Sequence, residues 1–99
     1  MSLSGRHIVI TGAARGLGAV LAKAAAEAGA QLTLADIAEE EGRAVARKLD
    51  AAFVPVDLGD PESITAMADA IKGPVHGLVN NGAIATGIGG IGFEDVDIE

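Results

Sequence analysis

The sequence contains no cysteine, tryptophan or tyrosine, and its only aromatic residues are Phe53 and Phe93. The absence of cysteine excludes disulfides, thiolate catalysis and cysteine-ligated metals. With so few aromatic side chains, any core must be built mainly from Ala, Val, Ile and Leu. A length of 99 residues corresponds to one small domain at most.

Positive charge is also scarce, since seven Lys and Arg against fourteen Asp and Glu give a formal net charge of −7. This balance argues against a basic surface for nucleic acid or anionic membrane, and we expect neither partner. The longest apolar runs fall well short of the ~18 residues of a membrane span, and the N-terminus lacks the apolar segment of a signal peptide. We therefore expect a soluble, cytoplasmic protein.

Segments with strand character alternate with segments of helix character. The predicted strands cover residues 6–11, 31–36, 52–56 and 77–80. The predicted helices cover residues 16–28 and 38–49 and a segment from about residue 61 to about residue 72. No helix or strand is predicted for residues 84–99, which we interpret as a loop. The apolar face predicted for the first helix consists of Leu17, Val20, Leu21, Ala24, Ala25 and Ala28.

This alternation predicts an α/β fold, in which strands connected by helices pair in parallel. We expect a Rossmann-type doubly wound sheet whose first four strands have the spatial order 3-2-1-4, with three right-handed crossover helices. Residues 1–99 would then form the N-terminal part of a single nucleotide-binding domain. In such a sheet ligands bind beyond the carboxyl ends of the strands, here between the first and the fourth.

A glycine-rich turn follows the first predicted strand and has the spacing G-x-x-x-G-x-G. Gly12 would begin the turn, Gly16 would let backbone approach a pyrophosphate, and Gly18 would let the helix pack closely on the strand. The amides and the dipole at the N-terminus of the following helix favour a bound anion. The alternative interpretation is a tight turn that binds no ligand.

Asp36 ends the second predicted strand, 24 residues after Gly12. The acid that holds a cofactor ribose lies about 20 residues from the glycine turn, and its charge repels a 2′-phosphate. Ile37 supplies no cation for such a phosphate, whereas Arg15 could reach one. We give Asp36 more weight and expect NAD rather than NADP. The alternative role of Asp36 is to cap the next helix.

Two further polar positions follow predicted strands. Asp57, which precedes Leu58, could accept a hydrogen bond from the adenine amino group or could cap its loop. Asn80 and Asn81 precede Gly82, and Asn-Gly is a common turn dipeptide. Asparagine amides at this strand end could also tie strands together and line a cofactor site.

Two other features are interpreted without a cofactor role. The glycine run at residues 87–92 matches G-x-G-x-x-G, but no helix follows it and acidic residues adjoin it, so we assign it to a loop. His7 and His76 flank predicted strands and have no partners at metal or triad spacing. We therefore expect them to be structural or exposed, and we predict no metal site.

These motifs resemble those of the short-chain dehydrogenase/reductase family. Residues 11–18 match the family motif TGxxxGxG in full, and Asp36 matches the acid of NAD-preferring members. Asp57 matches the adenine-contacting Asp, and residues 80–83 match the NNAG motif with the last two residues inverted. The resemblance extends from residue 5 to about residue 85. The cofactor contacts that it implies are Gly12, Arg15, Gly16, Leu17, Gly18, Asp36, Ile37, Asp57, Leu58, Asn81, Gly82 and Ala83.

The resemblance implies an NAD-dependent oxidoreductase that passes hydride between the nicotinamide and an alcohol or ketone substrate. The family's catalytic Ser and Tyr-x-x-x-Lys follow the NNAG segment, and this chain contains no tyrosine. We assign it no catalytic residue and expect an inactive, cofactor-binding N-terminal part of a longer enzyme that forms dimers or tetramers. One alternative is a non-catalytic NAD-binding half-domain or regulatory fragment. Another is a non-redox epimerase or dehydratase on the same fold.

Overall fold

The computed structural model describes residues 2–81. The strands are β1 (His7–Thr11), β2 (Gln31–Asp36), β3 (Ala52–Pro55) and β4 (Gly77–Asn80). The helices are α1 (Gly16–Glu27), α2 (Glu39–Leu49) and α3 (Pro61–Ala70). All seven elements occur where the sequence predicts them, and their boundaries agree closely with the predicted ones.

The four strands form one parallel sheet in the spatial order β3-β2-β1-β4. β1 lies between β2 and β4, and its last residue, Thr11, is opposite Ala35 of β2 and Asn80 of β4. The chain moves outward from β1 to β3 and then crosses back to place β4 on the other side of β1. The predicted order 3-2-1-4 is thus confirmed, and the strand order reverses between β1 and β4.

The core is centred on the two inner strands. Val9, Ile10 and Leu34 are the largest fully buried side chains, as expected for strands covered on both faces. Ile10 and Leu34 belong to one apolar cluster with Ala22 of α1 and Ala46 of α2, so these two helices cover one face of the sheet. Because the crossover through α3 runs in the opposite direction, a right-handed connection places α3 on the other face.

The buried face of α1 differs from the predicted one. Leu17 and Val20 are each 63% exposed, whereas Gly18 and Ala22 are buried. A Cβ atom at Gly18 would overlap the carbonyl oxygen of Gly12, so α1 lies very close to the end of β1. The prediction was wrong for Leu17, Val20 and Ala24, which is also exposed, because helical spacing alone does not show how closely the helix approaches the sheet. At this short separation only the smallest side chains fit between helix and sheet.

Residues at the helix ends stabilise the places where the helices begin and stop. Asp60 caps α3, since its Oδ1 accepts the Glu62 N–H at 3.0 Å, and Pro61 occupies the first helical position. Gly29 follows the last residues of α1 with a φ of 95°, as expected for a helix stop. α2 has acidic residues in its first turn and basic residues in its last. Within residues 2–81, no helix combines the length and the apolar character needed to cross a membrane.

Candidate cofactor site

Three strand ends converge where the strand order reverses. Thr11 at the end of β1 is flanked by Ala35 and Asn80, and Asp36 is the last residue of β2. The parallel sheet therefore brings the glycine turn, the predicted ribose acid and the asparagine pair to the same edge. This is the edge at which sheets of this topology bind ligands.

The glycine turn is held by backbone hydrogen bonds to β2. The Gly12 N–H donates to the Ala35 carbonyl oxygen at 2.8 Å. Gly12 and Gly16 have φ values of 68° and 62°, a left-handed conformation that a Cβ atom disfavours. A Cβ at Gly18 would overlap the Gly12 carbonyl and lie 2.8 Å from Nδ2 of Asn81. The backbone geometry therefore excludes a side chain at Gly18 and favours glycine at Gly12 and Gly16.

The N-terminus of α1 lacks a side-chain cap within the described part of the chain. Arg15 is the N-cap residue, but its side chain makes no capping hydrogen bond, and no acidic residue lies in the first turn. First-turn amides have no acceptor inside their own helix. A Cβ at Gly16 would meet no described atom within 4 Å, so the space beside it is open. α1 therefore offers unpaired donors and the positive end of its dipole to an anion.

The Asp36 carboxylate joins the glycine turn to the start of α2. Oδ2 accepts the Ala14 N–H and Oδ1 accepts the Ala38 N–H, both at 2.9 Å. Ala38 is the N-cap residue of α2, so Asp36 does help to begin this helix, although from two residues before it. A carboxylate oxygen has about two acceptor sites, so each oxygen retains capacity for a second donor. Ile37 follows and is 67% exposed.

The asparagine pair ties β4 to β1 and to the glycine turn. Thr11 Oγ1 donates to Asn80 Oδ1 at 2.8 Å. Asn81 Nδ2 donates to the Gly12 carbonyl oxygen at 3.3 Å. The predicted strand-tying role of these amides is therefore observed. Gly82, Ala83 and the loop predicted for residues 84–99 lie outside the described residues.

Arg15 pairs with Glu41, which lies in the first turn of α2. Nη2 of Arg15 is 3.0 Å from Oε2 of Glu41, and the two side chains are 72% and 55% exposed. Solvent weakens an ion pair this exposed. The guanidinium that the sequence indicates as a possible phosphate ligand is thus already in contact with a carboxylate.

Asp57 lies in the exposed loop between β3 and α3. Its Oδ1 accepts the Gly59 N–H at 2.9 Å, and its own N–H donates to Ser63 Oγ at 2.8 Å. The loop-capping role is therefore observed, and the contact with adenine stays a prediction. Leu58, the next residue, is half-buried.

The two histidines lie at the opposite end of the sheet from the glycine turn. His7 is buried, with Nδ1 3.0 Å from the Pro74 carbonyl oxygen and Nε2 2.7 Å from Thr33 Oγ1. Because a carbonyl only accepts, Nδ1 donates to the Pro74 carbonyl oxygen, and Nε2 forms a hydrogen bond with the Thr33 hydroxyl. The His7 N–H donates to Nδ1 of His76 at 2.9 Å. His7 is therefore structural, and His76 is exposed although it accepts the His7 N–H, so each residue has one of the two predicted roles.

A family model described as short chain dehydrogenase matches residues 6–98. The chain belongs to this family. The chain is 41% identical, over 90% of its length, to trans-4-hydroxycyclohexanecarboxylate dehydrogenase of Sinomonas cyclohexanicum. It is also 41% identical, over 83% of its length, to 3-alpha-(or 20-beta)-hydroxysteroid dehydrogenase of Mycobacterium bovis. The chain covers 39% and 34% of these two relatives, so it spans little more than a third of their length.

Two solved structures show the same fold in relatives that hold a cofactor. The 3-ketoacyl-(acyl-carrier-protein) reductase of Brucella melitensis complexed with NADH is 31% identical, with a TM-score of 0.67 over 70% of this chain and 29% of that one. The RhlG/NADP active-site complex of Pseudomonas aeruginosa is 28% identical, with a TM-score of 0.74 over 81% of this chain and 35% of that one. Because one complex contains NADH and the other NADP, similarity alone does not choose between the two cofactors for this chain.

One polar residue at the candidate site is absent from the set of contacts predicted from the sequence. This residue is Glu41, and its carboxylate contacts Arg15 of the glycine turn. The sequence contains a signal for this contact: the helix that follows the ribose acid begins with acidic residues, and the glycine turn contains a cation, Arg15. That signal names three candidate glutamates, and only the fold shows which of them reaches Arg15.

Proposed function

We propose that this chain is the NAD-binding part of an oxidoreductase that interconverts an alcohol and a ketone by hydride transfer. The observation that carries the proposal is a glycine turn held from both neighbouring strands. Asp36 holds it from the β2 side, and Asn81 holds it from the β4 side. The turn leaves the first amides of α1 without a cap. Donors fixed in position before binding are what an anionic ligand requires.

The pyrophosphate of the cofactor fits the N-terminus of α1. The amides of Gly16, Leu17 and Gly18 occupy its first turn, where helix geometry leaves them without intrahelical acceptors. The open space beside Gly16 gives a phosphate oxygen access to these amides. The positive end of the helix dipole also attracts the negatively charged pyrophosphate, and this attraction adds to the stabilisation from the hydrogen bonds.

The adenosine half of the cofactor fits the ends of β2 and β3. Asp36 would accept hydrogen bonds from the ribose hydroxyls with the acceptor sites that Ala14 and Ala38 leave. Its charge would disfavour a 2′-phosphate, so we propose NAD as the preferred cofactor. The exposed side chain of Ile37 would contact the adenine, and Asp57 would accept from its amino group.

The bound nicotinamide supplies or accepts the hydride, and the residues of this chain bind and orient it. The names of the two relatives describe dehydrogenases of a hydroxycyclohexane acid and of hydroxysteroids, which supports an alcohol or ketone substrate. The sequence contains no tyrosine, so we propose that a longer protein supplies the proton-transferring groups. We propose a homo-oligomer, a dimer or tetramer, for that protein.

Calorimetric titration with NAD tests the proposal directly. We expect saturable binding with one site per chain and weaker binding of NADP. A folded chain, verified by its circular dichroism and cooperative unfolding, that binds neither cofactor would refute the proposed function.

If the chain is instead a non-catalytic NAD-binding half-domain, it should bind NAD in the same titration. A second experiment is therefore needed to distinguish the two functions. Mass spectrometry of the protein purified from its source, followed by an assay of NAD reduction with secondary alcohols, separates the two. A species of 9.8 kDa alone, binding NAD without turnover, would favour the half-domain.

A further inference from the structure

Two polar links join the glycine turn to the start of α2. The first is the Asp36 carboxylate, which accepts from Ala14 of the turn and from Ala38 at the N-cap of α2. The second is the ion pair between Arg15 and Glu41. Arg15 follows Ala14 directly, and Glu41 lies one helical turn beyond Ala38. The ion pair is therefore on the same side of the site as the predicted ribose acid.

Two cations, Arg15 of the glycine turn and Arg43 of α2, are engaged by carboxylates of α2. Arg15 contacts Glu41 at 3.0 Å. Arg43 lies 3.5 Å from Glu39 and stacks over the ring of Phe53 at 5.0 Å. A 2′-phosphate beside Asp36 that paired with Arg15 would share that guanidinium with Glu41. It would also lie near two carboxylates, those of Asp36 and Glu41.

We propose that Glu41 is a specificity-determining residue that keeps Arg15 from recognising a 2′-phosphate and so supports Asp36 in selecting NAD over NADP. The inference rests on the proposed function, since it requires the cofactor ribose to lie at Asp36. Glu41 acts through Arg15 and need not contact NAD. Its removal therefore changes the preference between cofactors more than the affinity for NAD.

The effect is limited by the exposure of the pair. An exposed ion pair is weak and is easily exchanged for another, so Glu41→Gln should raise the affinity for NADP relative to NAD by roughly three- to fivefold. The gain should shrink as salt is added, because Arg15 and a 2′-phosphate attract each other in contact with solvent. The substitution keeps the shape of the side chain and lies on the surface, so the fold should tolerate it.

The test measures dissociation constants of NAD and NADP by calorimetry at low salt for the full chain and its variants. Glu40→Gln is the matched control, since it removes the same charge from the same helical turn and, among residues 2–81, Glu40 forms no ion pair. Arg15→Ala and the double variant Arg15→Ala with Glu41→Gln complete a thermodynamic cycle. Adenosine 2′,5′-bisphosphate and adenosine 5′-monophosphate serve as second probes that report on the adenosine half alone.

We expect the ratio of NADP to NAD affinity to rise in Glu41→Gln, to change less than twofold in Glu40→Gln, and to be insensitive to Glu41 once Arg15 is alanine. An equal rise in both glutamine variants would overturn the inference, because net charge alone would then explain it. So would an unchanged ratio in Glu41→Gln. In either case normal NAD binding by the wild-type chain would leave the proposed function intact, whereas absence of NAD binding by the wild type would refute that function itself.

Discussion

Replacement of Gly16 by alanine separates the cofactor role of the glycine turn from its role in folding. Gly16 has a φ of 62°, and a Cβ there would meet no described atom within 4 Å. The folded state therefore loses only what the left-handed backbone costs an alanine, about 1–2 kcal/mol. The same Cβ would stand in the open space through which we propose that the pyrophosphate reaches the amides of α1.

Gly73 provides a matched control for this substitution. It has a φ of 79° and, like Gly16, would place a Cβ where no described atom lies within 4 Å. It lies between α3 and β4, away from the glycine turn. Gly73→Ala should therefore reduce the free energy of unfolding by a similar amount, about 1–2 kcal/mol, without any effect on the proposed site.

The expected loss of binding follows from the hydrogen bonds at stake. A hydrogen bond to a charged group contributes about 1.5–3 kcal/mol, so hindering one such bond weakens NAD binding by about tenfold or more. Urea denaturation measures the stability of both variants, and calorimetry measures their affinity for NAD. Affinity in Gly73→Ala should stay within about twofold of the wild type, since its backbone cost falls on folding alone.

Two results would refute the reasoning. If Gly16→Ala binds NAD as tightly as the wild type, the pyrophosphate does not approach the backbone at this position. If both variants lose affinity to the same extent, the loss follows from reduced stability rather than from the site. Only a loss confined to Gly16→Ala supports the proposed contact.

Three further substitutions test other parts of the site and of the fold. Asp36→Ala should reduce the discrimination of NAD from NADP by ~1–3 kcal/mol, because the charged acceptor for the ribose hydroxyls is lost and the repulsion of a 2′-phosphate is relieved. An unchanged ratio of the two affinities would show that Asp36 has only a structural role. Asn81→Ala removes the hydrogen bond to the Gly12 carbonyl oxygen. Urea denaturation should show a loss of stability of about 1 kcal/mol, and calorimetry should show NAD binding weakened severalfold. Full NAD affinity would show that β4 does not position the glycine turn. Asp60→Ala removes the cap of α3 and should cost about 0.5–2 kcal/mol of stability in urea denaturation. An unchanged free energy of unfolding would show that the cap does not stabilise α3.

The order of the elements and the edge that carries the site are predictable from the sequence. Alternating strands and helices with right-handed crossovers leave few possible topologies, and strand ends in a parallel sheet point to one edge. The spacing of Gly12, Gly16 and Gly18 and the place of Asp36 after β2 are enough to predict which groups meet there. These signals are local in the chain or follow from handedness, so they need no knowledge of side-chain packing.

The face of α1 and the pairing of Arg15 are not predictable in this way. Helical periodicity identifies Leu17 and Val20 as one apolar face, but the distance between α1 and β1 decides which face is buried, and Gly18 sets that distance. Arg15 and Glu41 belong to different elements, and neither periodicity nor spacing specifies which of three adjacent glutamates faces the turn. Both depend on how two helices pack on the sheet.

The contacts of Asp36 mean that its structural and cofactor roles are not separate alternatives. Its oxygens already hold the glycine turn and the start of α2 in place, so the acceptor sites left for a ribose are fixed in direction by the protein before any ligand binds. Loss of the carboxylate would therefore weaken the fold and the affinity for both cofactors together. A change in the ratio of NAD to NADP affinity is the measurement that isolates recognition of the ribose, because the structural contribution is common to both cofactors and cancels in the ratio.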